Sequence, residues 1–147
     1  MSDNAPFENI ANDLYNNNSV SGLAIQEVIA SALNGSSIFI FTMDYQLRYT
    51  KVYNSDILFG SRNITGLTDF ELFLPEDAAR LTKCKMSVLK TGVIVKCEDF
   101  YNLGTGTFYL SVKLEPIIAK DNSVDGIIGT IVDMTKEKLS EDKLTKT

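Results

Sequence analysis

The stretch VIVKCEDFYNLGTGTFYLSVKLEPIIAKDNSVDGIIGTIVD, residues 93–133, contains three β-strand patterns separated by two turns. Apolar and polar residues alternate along 93–101 and 108–118, as they do in strands with one buried face. Turn-forming residues at 103–106 and 121–123 separate these strands from each other and from a third strand over 125–133. Because the turns are short, the stretch predicts three strands paired antiparallel.

Two further strands and a helix are predicted upstream. Residues 37–44 and 47–54 are rich in β-branched and aromatic residues and flank a short turn. Residues 55–74 hold only short helical segments interrupted by glycine, whereas Pro75 begins a longer helix that Gly92 ends. The predicted fold class is therefore α+β: a five-stranded antiparallel sheet with short helices and one longer helix on one face.

Helical patterns flank the predicted sheet on both sides. Residues 1–35 predict two amphipathic helices broken by Asn16-Asn17-Asn18, the second capped by Ser21. Helices of this length are marginal alone in water, so each apolar stripe must be buried. The stripes include Phe7, Ile10, Leu14, Ile25, Val28 and Ile29. A charged helix is predicted over 135–147, which divides the chain into 1–35, 36–134 and 135–147.

Composition argues against several classes of function. The chain has 147 residues, a net charge of −5 and no histidine. The acidic balance argues against a nucleic-acid partner, and the lack of histidine removes the commonest general base and metal ligand. No signal-peptide pattern is present, and the longest apolar runs, such as residues 38–41, are too short to cross a bilayer. We therefore predict a cytoplasmic domain without membrane insertion.

Five short motifs follow one another in an order typical of one family. They are LRYT at 47–50 with Tyr53-Asn54, GLTDFELF at 66–73, VLKTG at 88–92, LEPI at 114–117, and GIIG at 126–129 followed by DMT at 133–135. Together they resemble the PAS domains of bacterial sensor histidine kinases, over about residues 36–146. The resemblance implies the PAS fold and a sensory module of a two-component or related signalling protein. It also implies an effector domain beyond the C-terminal helix, such as a histidine kinase or a nucleotide-cyclase-like domain.

In PAS domains the sensing pocket lies between the sheet and the middle helices. An apolar lining there is typical of a packed core, and it also fits a small apolar ligand held by a few polar groups. The apolar candidates are Val95, Cys97, Leu110, Val112, Gly129 and Ile131 from the sheet, with Phe70, Phe73, Leu81 and Val88 opposite. The polar candidates are Tyr49, Tyr53, Asp99 and Arg48, and the sequence leaves open which face of the second strand the two tyrosines use. Gly129 fits either a pocket floor or close packing.

The resemblance also allows a test for cofactors at single positions. Flavin-binding PAS domains carry a cysteine in the turn held here by residues 66–70, which contain none. Their flavin-contacting asparagine and glutamine correspond to Leu110 and Ile131. Haem-binding members usually use histidine, which this chain lacks. Cys84 and Cys97 are interpreted as buried small hydrophobic residues rather than metal or redox groups, so we predict no cofactor and no metal.

Asp133 and Thr135 form a predicted signal junction between the last strand and the helix after it. The hydroxyl of Thr135 is expected to cap that helix, while Asp133 is expected to hold the end of the strand against it. This arrangement would make the strand and the output helix one mechanical unit. The alternative interpretation is an ordinary strand-to-helix turn.

The outer face of the last strand indicates self-association. Ile128, Thr130 and Val132 give that face an apolar character, although a sheet face in water should be polar. The amphipathic helices of residues 1–35, from the same chain or a second copy, are the natural cover. We therefore predict a homodimer.

No catalytic residue is predicted. A nucleophilic cysteine would lack a histidine partner, and Asp69 is interpreted as the cap of a short helix rather than half of a carboxylate pair. The predicted function is a non-enzymatic sensory module that forms dimers and passes a signal through the C-terminal helix to an effector domain. Its pocket is either a packed core or a site for a small apolar ligand. The alternative, from a different class, is a stand-alone α+β enzyme or carrier acting on a small apolar molecule.

Overall fold

The computed structural model describes residues 18–145, with side chains over 25–142, and the chain divides into two compact units between Ser36 and Ser37. Helix α1, Asn18–Leu33, belongs to the first unit. Ser21 lies inside this helix, so the prediction that it is the N-cap is wrong. The predicted helix around Phe7, Ile10 and Leu14 lies outside the described residues.

The second unit is an antiparallel sheet with helices on one face. Its elements are β1 Ile38–Asp44, β2 Tyr49–Tyr53, α2 Asp56–Phe59, a 3₁₀ helix Asp69–Glu71, α3 Pro75–Thr91, β3 Val95–Asn102, β4 Thr107–Ile118, β5 Val124–Asp133 and α4 Thr135–Thr145. The five strands lie in the order β2-β1-β5-β4-β3, and every neighbouring pair is antiparallel. This arrangement confirms the predicted α+β fold class and the single five-stranded sheet.

The core lies on one face of the sheet, and Gly129 makes room for it. Phe39, Phe41 and Met43 of β1 point into the core and are at most 1% exposed. Phe41 lies opposite Gly129 of β5 in the strand register. A Cβ atom at Gly129 would lie 2.0 Å from the Phe41 ring, so this glycine serves close packing rather than a pocket floor.

A bulge in β2 settles the orientation of its two tyrosines. Thr42 pairs with Lys51, but the next residue of β1, Met43, pairs with Tyr49. The extra residue places Tyr49 on the core face beside Met43, and it leaves Tyr53 on the outer face. Without the bulge, the period of two would put both tyrosines on one face.

Helix α3 covers the core with a stripe that contains one charged residue. Pro75 lies in its first turn, and Gly92, with a φ of +67°, ends it in the left-handed conformation. Its buried side chains are Ala78, Leu81, Lys85, Val88 and Leu89. Cys84, predicted to be buried, is half-buried at the side of this stripe. Among the described residues, no helix is long and apolar enough to cross a membrane.

Candidate functional site

A polar cluster of Tyr49, Asp69 and Lys85 lies inside the apolar core, between the sheet and the helices that cover it. The three side chains are 1%, 2% and 1% exposed, respectively. Lys85 Nζ lies 2.6 Å from Asp69 Oδ2, and the hydroxyl of Tyr49 donates to Asp69 Oδ1 at 2.6 Å. Lys85 Nζ also lies 3.4 Å from the Tyr49 hydroxyl. The carboxylate thus meets a charged or hydroxyl donor at each oxygen, which buried charge requires.

Three different elements deliver this cluster. The β2 bulge turns Tyr49 inward, and the 3₁₀ helix begins with Asp69 pointing the same way. Thr68 precedes that helix, and its backbone N–H donates to Glu71 Oε1 at 3.2 Å. Asp69 is therefore a buried ion-pair partner rather than a helix cap, and that prediction is wrong. Its neighbour Phe70 points outward and is 56% exposed, so the prediction that Phe70 lines the pocket is also wrong.

Lys85 also contacts the aromatic part of the core. Its Nζ lies 5.0 Å from the ring centre of Phe41 and 5.1 Å from that of Tyr49, within the range of a cation–π contact. Burial, and then the charge of Asp69, raise the pKa of the Tyr49 hydroxyl well above its usual value. At neutral pH Tyr49 is a neutral donor to Asp69.

Most predicted pocket residues on the sheet reach the core face, where they are buried among aromatic rings. Leu110, Val112 and Ile131 are at most 2% exposed, and Phe73 is 6% exposed. The aromatic rings of Phe39, Phe41, Tyr49, Phe59, Phe73 and Tyr101 contact one another through the core. Leu81 and Val88 are buried opposite the sheet, as predicted.

Two predicted polar candidates lie elsewhere. Arg48 is exposed; its Nη1 donates to the carbonyl of Gly66 at 2.8 Å and lies 3.7 Å from Glu71 Oε1. Tyr53 lies on the outer face because of the bulge. Neither side chain lines the core, so both pocket predictions are wrong.

The open space near the predicted pocket is a groove between α3 and β3. It measures about 430 Å³ and is lined by Arg80, Lys83, Cys84, Ser87, Val95, Cys97, Glu98, Asp99 and Tyr101. β3 is an edge strand, so Val95 and Cys97 are only half-buried although they face inward. The prediction that Cys84 and Cys97 are buried is wrong: both are half-buried, because the sheet ends beside them.

Arg80 organises the charged end of this groove. Its guanidinium donates to Asp77 Oδ1 at 2.6 Å and to the carbonyl of Phe100 at 2.8 Å, and it pairs with Asp99. It also lies 4.7 Å from the ring centre of Tyr101. Burial opposes ionisation of Asp77, but the backbone N–H of Asn102 and the guanidinium outweigh it and lower the pKa of that carboxyl.

The apolar side of the groove holds neutral hydrogen-bonding groups. Burial, and then the neighbouring thiol of Cys84, raise the pKa of the Cys97 thiol. Burial, and then Cys97, raise the pKa of the Tyr101 hydroxyl. The Cys97 thiol and the Tyr101 hydroxyl are therefore protonated donors at neutral pH. In the described part of the chain, no cluster of three or more carboxylate or thiol groups is placed to hold a metal.

The predicted junction residues are bonded to each other and to the sheet. Asp133 Oδ1 accepts from the backbone N–H of Thr135 at 3.0 Å and from its hydroxyl at 2.5 Å. The Thr135 hydroxyl accepts from the backbone N–H of Tyr109 at 2.9 Å. The expected roles are exchanged: Asp133 satisfies the N–H at the start of α4, and Thr135 holds the helix against β4.

The outer face of β5 is only partly covered in the described structure. Ile128 is 38% exposed, and Thr130 and Val132 are half-buried. An open groove of about 550 Å³ runs over this face and is lined by residues of β3, β4 and β5, including Thr130 and Val132. On α1, Ile25 and Val28 are 41% and 64% exposed, and Ile29 is half-buried.

Comparison with known proteins places this geometry in a known fold. No family model matches the chain. Over 115 residues it is 25% identical to probable histidine kinase 1 of Oryza sativa subsp. indica, spanning 76% of this chain and 12% of that protein. The PAS domain of a protein from Colwellia psychrerythraea matches with a TM-score of 0.62 and 21% identity, covering 76% of this chain and 98% of that one.

Two further structures extend the comparison. A sensory box sensor histidine kinase from Vibrio cholerae matches with a TM-score of 0.55 and 17% identity, over 79% of this chain and 94% of that chain. VqmA of the same genus, in complex with a ligand and DNA, matches with a TM-score of 0.59 and 20% identity. The match covers 71% of this chain and 49% of that one. The chain has the PAS fold that these structures share, which confirms the fold that the resemblance implies.

The VqmA comparison bears on one prediction. The acidic net charge of the chain argues against a nucleic-acid partner. VqmA has a domain of this fold and is found in a complex with DNA, so the exclusion is not supported. The charge of one domain does not determine what a longer protein binds.

Proposed function

We propose that this PAS domain is a sensory and regulatory module, without catalysis of its own, that passes a signal through α4 to an effector domain. The observation that carries the proposal is the junction. Asp133, Thr135 and Tyr109 connect the ends of two central strands to the first turn of α4 through side-chain hydrogen bonds of 2.5–3.0 Å. A change in the sheet therefore reaches the helix without a flexible linker.

The exposed surface of α4 supports an output role. Leu139 is 54% exposed, and the helix carries mostly charged residues. Lys138 Nζ lies 5.0 Å from the ring centre of Tyr109, which adds one contact between helix and sheet. A helix held at one end, with little surface buried against its own domain, is suited to pack against a following domain or its counterpart in a second copy.

We place the ligand, a small and mainly apolar molecule, in the groove between α3 and β3. Aromatic rings contact one another through the core, whereas the groove is open and about 430 Å³ in volume. Tyr101 lines the groove and is itself a buried core residue. Cys84, Cys97 and Val95 offer apolar contact, and the Tyr101 hydroxyl and Arg80 offer orienting polar groups. Flavin and haem are not part of the proposal, because Leu110 and Ile131 are buried aliphatic residues at the flavin-contacting positions.

We further propose that the outer sheet face around Ile128, Thr130 and Val132 is covered in a homodimer. The exposure of Ile128 and the open groove beside Val132 support a partner there. The exposed apolar residues of α1, Ile25 and Val28, offer matching surface.

A chimera tests the signalling proposal. The chain is fused through α4 to the dimerisation and catalytic domains of a histidine kinase, and small molecules that raise the melting temperature of the chain are added. We expect such a ligand to change the autophosphorylation rate of the fusion several-fold. Ligands that stabilise the chain while leaving the rate unchanged in every helical register of the fusion would contradict the proposal.

A further inference from the structure

Half of the β3 edge is blocked by the chain's own side chains. In an antiparallel sheet, alternate residues of an edge strand direct both backbone groups away from their neighbour strand. The N–H of Asn102 donates to Asp77 Oδ2 at 2.6 Å, and that of Phe100 donates to Asp99 Oδ1 at 2.8 Å. The carbonyl of Phe100 accepts from Arg80 at 2.8 Å. The backbone N–H and C=O groups of the even-numbered residues of β3 therefore point away from β4.

The other half of this edge is open. Lys96 and Glu98 belong to the same even-numbered set, so their backbone N–H and C=O groups also point away from the sheet, and both residues are exposed. An open strand edge is a template for pairing with another strand. The opposite edge differs at its Tyr49 end, where the N–H and C=O of Tyr49 are bonded to Leu67 and Gly66 at 3.0 and 2.7 Å.

We propose that β3 pairs antiparallel with β3 of a second copy of this chain, about a two-fold axis that passes beside Cys97. In this register Lys96 of one copy lies opposite Glu98 of the other, and the pair occurs twice by symmetry. The open backbone groups of these two residues supply the hydrogen bonds of the new pair. Arg80, Asp77 and Asp99 end the pairing where they cover Phe100 and Asn102.

Charge favours this register. Within its own sheet Lys96 lies directly opposite Lys113 of β4, a like-charge neighbour, and Glu98 lies opposite Ser111. The second copy brings a carboxylate to Lys96 and an ammonium group to Glu98. Opposite charges on facing residues stabilise strand pairing, and like charges destabilise it.

Apolar residues flank the charged pairs in the same register. Ile94 is 49% exposed and immediately precedes β3; Phe100 is 41% exposed. The two-fold axis beside Cys97 sets Ile94 of one copy opposite Phe100 of the other. The β3 edge is therefore complementary to the same edge of a second copy: its open backbone groups, its charges and its apolar side chains all find partners there. The paired strip is short, so we expect a weak contact that other interfaces reinforce.

Cys97 gives a direct test in the full chain. It lies at the proposed axis, and facing residues at this kind of position have Cα atoms about 4.5 Å apart, a separation that suits a disulfide. In a Cys84→Ser background, which removes the competing thiol of the same groove, diamide as thiol oxidant should yield a covalent dimer through Cys97. Peptide mapping under non-reducing conditions identifies the bond.

Charge reversal gives the decisive comparison. In that background Lys96→Glu or Glu98→Lys alone should reduce the cross-linked fraction about tenfold, because both facing pairs become like-charged. An equimolar mixture of the two variants should restore cross-linking through heterodimers, because both facing pairs of a heterodimer again join opposite charges. Lys90→Glu, an equal charge change on the exposed face of α3, is the control and should leave cross-linking unchanged.

The outcomes separate this inference from the function proposed above. Cross-linking that is indifferent to the charge reversals, or a mixture no better than either variant alone, would overturn the β3 contact. Neither result bears on the ligand groove or the α4 junction, which the kinase fusion tests independently.

Discussion

Lys85 Nζ lies 2.6 Å from Asp69 Oδ2 in a core where neither side chain is more than 2% exposed. Burial removes the water around both charges, and in an ion pair at this depth each charge offsets part of the desolvation cost of the other. The pair connects α3 to the 3₁₀ helix, and the Tyr49 hydroxyl connects both to β2. Its role in the fold is to fix three elements in one arrangement around the core.

Breaking this pair from one side is expected to be costly. Lys85→Met leaves the Asp69 carboxylate buried with only the Tyr49 hydroxyl, and Asp69→Asn leaves the ammonium group buried without its counter-charge. Each single variant should lower the free energy of unfolding by about 3–5 kcal/mol in urea titrations. The double variant should lose clearly less than the sum of the two single losses.

The control for that series is Lys90→Met, on the exposed side of the same helix. It should change the free energy of unfolding by no more than about 0.5 kcal/mol. Losses for Lys85→Met and Asp69→Asn that are as small as the control's would mean that the pair is solvated in solution.

Gly129→Ala tests the packing of the sheet. The added Cβ would lie 2.0 Å from the Phe41 ring, so either the ring or β5 must shift, at a cost of about 1–3 kcal/mol or more. Phe41→Leu combined with Gly129→Ala should recover part of the loss, because the smaller side chain vacates the position. Thermal unfolding of both variants and of Phe41→Leu alone measures this coupling; strictly additive losses would contradict the proposed contact.

The lowered pKa of Asp77 predicts a pH-dependent contribution to stability. A carboxyl whose folded pKa lies below its unfolded value of 3.8 stabilises the fold above that value, and the contribution is lost as pH falls through the folded pKa. Asp77→Asn should therefore be less stable than the original chain at pH 7, and the difference should shrink below pH about 4. A difference that stays constant from pH 7 to pH 3 would contradict the assignment.

The absence of flavin and haem remains a prediction with a simple test. Leu110 and Ile131 offer buried aliphatic surface where flavin-binding relatives carry amide side chains. The purified chain should show no visible absorption band, and incubation with flavin mononucleotide or haemin should give no stoichiometric complex after gel filtration. A retained chromophore at one equivalent would overturn the prediction.

The sequence predicted the sheet because alternation and turn residues are local signals. It did not predict the ion pair, because Asp69 and Lys85 are brought together only by tertiary structure. One signal for Lys85 was present: it lies four residues after Leu81 and three before Val88, on the buried stripe of α3. A lysine at such a position indicates a buried acidic partner. Because Asp69 was interpreted as a helix cap, it was not considered as that partner.

Two other features depend on structure that a sequence pattern does not reveal: the tyrosine faces, which the sequence left open, and the roles of the two junction residues. The faces of Tyr49 and Tyr53 depend on one extra residue in β2, and a bulge changes the register without changing the composition of the strand. Asp133 and Thr135 were correctly grouped, but their roles were exchanged, because the hydroxyl of Thr135 bonds to Tyr109 of β4. Only the strand register brings Tyr109 to that point.

Loss of the junction should release α4 while the sheet remains folded. Asp133→Ala removes the acceptor of two hydrogen bonds from Thr135, a loss of about 1 kcal/mol to the start of the helix. Amide hydrogen exchange in residues 136–142 should accelerate about fivefold, while exchange in β1 and β5 changes little. Asp125→Ala, at an exposed position at the other end of β5, is the matched control.

The measurement that tests the central claim most directly is ligand-dependent autophosphorylation of the kinase fusion carrying Asp133→Ala. A loss of about 1 kcal/mol is small beside a domain stability of about 5–15 kcal/mol, but it is comparable with an allosteric coupling energy of about 1–3 kcal/mol. We predict a fusion whose PAS domain melts nearly as before and still binds the ligand, but whose rate no longer responds to it. A variant that responds like the original fusion would contradict the claim that Asp133 and Thr135 carry the signal from the sheet to α4.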